Sequence, residues 1–253
     1  MLGMINLEVS YMKHTQSSAA VFASSVSFSS RRPIQKEGIF RCFKDPGSAI
    51  THLIAFLLTL IAGSVLVSLS IKQHDPLLTI AMGIFSLSMA GLYAASTCYH
   101  TFDTSKSANT LRKKIDHMMI FVLIAGSYTP ICLFPLRERG GLPMLAIVWG
   151  IALLGCILKL FWVYCPKWVS SILYISMGWL CIFSLPQLLD TLSASQFAWL
   201  LAGGIIYTIG GVIYALKLSL FNHHHPAFGS HEIFHLFVMG GSFCHVVVMF
   251  LLL

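Results

Sequence analysis

His231 and His235 stand four residues apart at the start of a stretch that is otherwise apolar to Leu253, and Glu232 lies between them. An i, i+4 pair shares one helix face, one turn above the other. That geometry suits two ligands of one metal ion. Two imidazoles and a carboxylate at the mouth of a membrane-length helix are costly, so a role is expected for them. A third candidate ligand, His100, ends a different apolar stretch. Ser96 lies one turn before it on the same face, and Asp116 follows sixteen residues after it. Zinc is the natural occupant of such a set. Neutral imidazole nitrogens bind it, and three protein ligands plus a water is its catalytic arrangement. The ion brings the pKa of that water toward ~7. Asp116 is the first candidate to take the proton. Ser96 could hydrogen-bond the water, a ligand or a developing oxyanion.

Other residues compete for these roles. His52 is placed as a supporting neighbour of the ligands or a substitute for one of them. Glu232 has a rival role of its own. His231-Glu232-Ile233-Phe234-His235 matches H-E-x-x-H, in which the glutamate is the general base of a zinc protease. Against that reading, the helix begins at His231 itself, and no Leu-Asp-Gly segment offers a further ligand. His117 adjoins Asp116 but points about 100° away on a helix. His223, His224 and His225 read as a solvated loop tract. His245 would lie about 15 Å deeper than His235, too far to share its metal, and reads as a packing hydrogen-bonder.

Composition says what kind of body must position these groups. The chain has 253 residues, 57% hydrophobic and 10% charged, with mean hydropathy +0.80. Soluble domains carry about 25% charged residues, so this is an integral membrane protein. Its apolar segments are long and continuous, unlike the short alternating strands of a β-barrel. The net charge of +7 reads as basic loops at one membrane face rather than a nucleic-acid surface. The seven cysteines form no CxxC pair and read as small buried hydrophobes.

Residues 1–47 read as a flexible cytoplasmic tail, Ser-rich and poor in acids; an organelle transit peptide is the alternative. Seven apolar segments follow, near 49–71, 77–100, 117–135, 142–164, 169–189, 196–220 and 231–253. Each approaches the ~20 residues that cross a bilayer as helix. The prediction is an all-α integral membrane protein, a seven-transmembrane helix bundle over 48–253. Most lysines and arginines fall on one side if the N-terminus is cytoplasmic and the C-terminus outside, which sets the expected orientation. With seven spans, His100, Asp116, His231 and His235 all come to the inner layer. Six or eight would put His100 and His231 on opposite sides.

Ser96-Thr97-Cys98-Tyr99-His100, then Asp116, then His231-x-x-x-His235 together resemble the signature of the hemolysin III family, which belongs with the progestin and adiponectin receptors and more distantly with alkaline ceramidases. The run Asp45-Pro46-Gly47-Ser48-Ala49-Ile50-Thr51-His52, the segment Gly126-Ser127-Tyr128-Thr129-Pro130 and the stretch from Phe228 to His245 extend the resemblance. It covers residue 45 or so to the end. It implies a seven-helix bundle with zinc near the cytoplasmic side, held by His100, His231 and His235, and Asp116 and Ser96 at catalytic or water-orienting positions. It also implies that Glu232 is a neighbour of the ligands rather than the base. The function expected first is hydrolysis of a lipid amide or ester at the cell membrane, with a membrane lipid as substrate or ligand. The alternatives are a receptor-like regulator of membrane fluidity with structural zinc, a cytolysin, and an intramembrane protease.

Overall fold

The computed structural model describes residues 44–216 and 229–253. The tail to residue 43, Lys217 and the His223–His225 tract lie outside the described residues. The expectations of a tail, a transit segment and a solvated histidine loop rest there.

Seven helical spans are long and apolar enough to cross a membrane. α1 (Pro46–Lys72) and α2 (Pro76–Thr101) each begin on a proline, whose missing N–H costs nothing in a first turn. Asp75 caps α2 by accepting the N–H groups of Leu77 and Leu78. Ser105 caps α3 (Lys106–Leu133) through the N–H of Ala108. α4 (Leu142–Phe161) follows a turn in which Gly140 adopts a left-handed backbone, φ 88°. The fifth span, Lys167–Thr191, is not one helix. α5 (Lys167–Gly178) passes into a 3₁₀ stretch, Trp179–Ser184, and then a short helix, Leu185–Thr191. Pro186 lies just beyond that stretch and cannot donate to the preceding turn, so the helix re-forms around it. α6 (Ala194–Leu216) and α7 (Ser230–Leu251) complete the bundle.

Consecutive helices pack against one another, and α7 returns to α1 and closes the ring. α2 and α3 are the most enclosed spans; on α2, Met82, Phe85, Met89 and Tyr93 are all buried. The outer faces are apolar: Phe161 is 81% exposed, Phe183 79% and Leu87 73%. Bare side chains of this kind need hydrocarbon around them, not water.

The third span departs most from its predicted limits. Its helix starts at Lys106, not near 117. Its first three turns carry Lys106, Arg112, Lys113 and Lys114 and are too polar to register as a span. Those cations therefore lie on the helix rather than in a connection. Asp116 is not at the helix mouth but about 15 Å along its axis.

Candidate metal centre

The site lies where the start of α1, the end of α2 and the start of α7 converge, beside α3. His100 and His235 are almost fully buried, each 2% exposed. His100, His231 and His235 each offer a ring nitrogen, and these atoms lie within 4.8 Å of one another. The Nε2 atoms of His100 and His231 are 3.3 Å apart. Two nitrogens bound tetrahedrally to one zinc are separated by about the same distance, roughly 3.3 Å.

The neighbours fix which nitrogen each ring presents. Asp45 Oδ2 sits 3.0 Å from His100 Nδ1, so that nitrogen carries the proton and Nε2 keeps its lone pair. This carboxylate–histidine pairing is the usual support of a metal-bound imidazole. The His100 hydrogen bond holds the Asp45 carboxyl below its ordinary range, against the opposing effect of burial. Thr51 Oγ1 donates to the backbone of α1 at Gly47 and Ser48. Toward His235 Nδ1, 3.4 Å away, it can then act only as acceptor. Among the described residues, His231 Nδ1 is buried with no hydrogen-bond partner. Whichever nitrogen of His231 bears its proton, one buried polar atom is left without a protein partner among the described residues. A cation among the three rings would engage the lone pairs gathered there. The donor set therefore fits zinc.

Asp116 comes to the same place from α3. Its carboxyl lies near the Ser96 hydroxyl and within electrostatic reach of His100. Ser96 is buried. Groups from three sequence-distant segments thus come together, with Asp116 outside the close trio of ring nitrogens.

His52 stacks face to face on His235, with ring centroids 3.6 Å apart, and its edge meets Tyr93. Neither of its nitrogens has a hydrogen-bond partner. It packs behind a candidate ligand rather than joining the trio. Glu232 is engaged at both oxygens. Oε1 accepts from the Ser48 hydroxyl at 2.7 Å, and Oε2 accepts from the Gly229 N–H at 2.8 Å. It ties α7 to α1 and closes the first turn of α7. His117 gives only its backbone carbonyl, to the Tyr174 hydroxyl. His245 has a buried, unpartnered Nδ1 and packs on Gly203 and the Tyr207 ring, so the packing part of its expected role holds but no hydrogen bond accompanies it.

Asp45 is the residue that sequence reading missed, assigned there to the tail. Its backbone N–H donates to His100 O at 2.9 Å, and that of Lys44 to Thr101 O. Asp45 stands at the N-cap of α1, three residues before Ser48 and seven before His52, which follow at helical spacing. That spacing was the available signal.

Beside the site runs an apolar cavity of about 360 Å³ among α2, α3, α5, α6 and α7. Tyr214 and Phe234, which border His231, line it at that end. His245 lines it elsewhere.

Comparison with known proteins agrees with this architecture. The family model described as Haemolysin-III related matches residues 40–246. The Hemolysin-3 homolog of Bacillus subtilis (strain 168) is 37% identical over 204 residues, covering 81% of this chain and 92% of that protein. Hemolysin-3 of Bacillus cereus is 37% identical over 199 residues, 79% of this chain and 87% of its own length. The Adiponectin receptor protein of Drosophila melanogaster is a more distant relative, 23% identical over 224 residues, covering 83% of this chain and 50% of that protein. With the seven spans and the matched length taken together, the chain belongs to the hemolysin III family of multi-pass membrane proteins, within the adiponectin receptor-like superfamily.

Proposed function

We propose that the protein is a zinc-dependent, membrane-embedded hydrolase of lipid amides or esters, with its site at the cytosolic side of the cell membrane. The carrying observation is the meeting of His100, His231 and His235 with Asp116 and Ser96 at one end of an apolar cavity. A bound zinc ion supplies Lewis acidity, polarising a carbonyl and acidifying water. His100, His231 and His235 would hold it through ring nitrogens, and Asp45 fixes the His100 ring. The cavity is lined by leucine, isoleucine and aromatic side chains and suits an acyl chain. It excludes water from one side of the reacting carbonyl. Asp116 accepts the proton released from water at a carboxylate oxygen and returns it to the departing amine or alkoxide. Ser96 Oγ orients the Asp116 carboxyl.

The test is purified protein assayed for zinc and for fatty-acid release from ceramides and phospholipids. Stoichiometric zinc with turnover that disappears in Asp116→Asn is the expected result. Zinc without turnover on any lipid would count against catalysis.

A second reading has its own support. The trio joins α2 to α7, helices far apart in the chain, so a structural zinc would clasp the bundle of a receptor-like regulator. In that case His100→Ala lowers thermal stability, while Asp116→Ala leaves the membrane phenotype intact. The protease reading has less support, since both Glu232 oxygens are committed to Ser48 and Gly229. Cytolysis has no pore-like feature behind it among the described residues.

A further inference from the structure

A second concave feature lies at the same end of the bundle. It is a recess of about 390 Å³ open to the surface, lined by Lys44, Lys106, Lys113, Tyr99, Thr110 and Tyr164, with Thr104 and Asn109 at its edge. Lys106, Asn109, Thr110 and Lys113 fall at i, i+3, i+4 and i+7 on α3, one stripe facing one space. Among the described residues no carboxylate lines the recess, although Asp45 and Asp116 lie within electrostatic reach of Lys44. Asp103 is close by but is held by the Asn109 amide at 2.7 Å.

Lysines at a membrane face are ordinary topology signals, and such side chains usually extend into water. Here two of them lie over aromatic rings. Lys44 Nζ lies 3.7 Å from the Tyr99 ring centre, and Lys113 Nζ lies 4.3 Å from that of Tyr164. The Tyr164 hydroxyl is fixed by Thr110 at 3.0 Å. Arg112 braces the rim through Phe102 O and Asn109 Oδ1. Like charges gathered around one concavity repel, and an anion offsets that cost.

We propose that this recess binds a phosphate group. Three ammonium groups around one concavity suit its several acceptor oxygens. The group could come from a phospholipid headgroup at the membrane surface or from a soluble phosphate. Tyr99 lines the recess and also packs edge-on against His100, ring centroids 4.7 Å apart. A phosphate held there is therefore a near neighbour of the candidate metal centre, although the binding does not depend on lipid hydrolysis.

The test uses the full chain, purified and reconstituted. One arm measures inorganic phosphate binding by equilibrium dialysis. The other measures, by native mass spectrometry, retention of phosphatidylglycerol over phosphatidylcholine from vesicles containing both. Binding in either arm is expected, and the arm identifies the source. The double variant Lys106→Gln/Lys113→Gln should weaken it at least tenfold with helical content unchanged, and Lys106→Arg/Lys113→Arg should preserve it. Should the Gln variant fail to fold, loss of wild-type binding on raising sodium chloride serves in its place, because contacts between ammonium and phosphate are screened by salt. No binding in either arm, equal binding by the Gln variant, or salt-insensitive binding would overturn the proposal.

Discussion

Asp45 shows what a single carboxylate does when a helix start pins it against an imidazole. Its Oδ2 fixes the proton of His100 on Nδ1, so the opposite nitrogen is presented without a conformational search. Asp45→Asn should keep the fold and weaken zinc retention by about 10–100-fold, measured by competition with a chelating dye. An unchanged affinity would reduce Asp45 to a backbone anchor. Asp116 and Glu232 make a contrasting pair. Asp116→Asn should abolish lipid turnover with zinc retained, whereas Glu232→Gln should keep turnover and lose some stability as the Ser48 tie weakens. The reverse pattern would restore the protease mechanism. Sequence made His100, His231, His235, Ser96 and Asp116 legible because helical spacing and apolar surroundings marked them as out of place. Asp45 was not legible, since a carboxylate next to a polar tail looks solvated. Its backbone and side-chain hydrogen bonds to His100 bring it to the site.

At the scale of helices, hydropathy located all seven spans but misplaced the start of α3. A basic first three turns are favourable at a membrane face, yet they fall below any hydropathy threshold, and only the Ser105 cap marks the true start. The break in the fifth span is another case. Pro186 was visible, but the length of the 3₁₀ stretch depends on how Trp179 and Cys181 are held by neighbours. The Trp179 indole donates to Thr208, and the Cys181 N–H donates to the Tyr128 hydroxyl. Helix contacts on α7 are equally specific. A Cβ at Gly241 would come within 2.7 Å of three atoms of the Tyr207 ring, and Tyr207 and Tyr93 both meet the Ser242 hydroxyl, at 2.9 and 2.7 Å. Gly241→Leu should therefore force α6 and α7 apart and cost about 1–3 kcal/mol, read as a fall in the thermal midpoint in detergent. A midpoint equal to wild type would mean the two helices are not rigidly seated.

Across the whole molecule, an ion at the candidate metal centre would be a long-range tie. His100 closes the second span and His231 opens the seventh, 131 residues later. Hydrocarbon surrounds the bundle, so no hydrophobic force presses helices together within it, and packing and polar contacts must do so. An ion bound by both ends favours the assembled ring alone, and mass action then sets its contribution. Free zinc at a thousand times its dissociation constant stabilises by about 4 kcal/mol. The thermal midpoint of the wild type should accordingly rise with zinc and fall with a chelator. In His100→Ala/His231→Ala it should be lower and indifferent to both. This test separates the clasp from the chemistry: Asp116→Asn should respond to zinc as the wild type does, because its carboxyl lies outside the trio of ring nitrogens. If wild type and the double histidine variant respond alike, zinc acts elsewhere on the molecule, and the convergence of the three rings is packing rather than a metal centre.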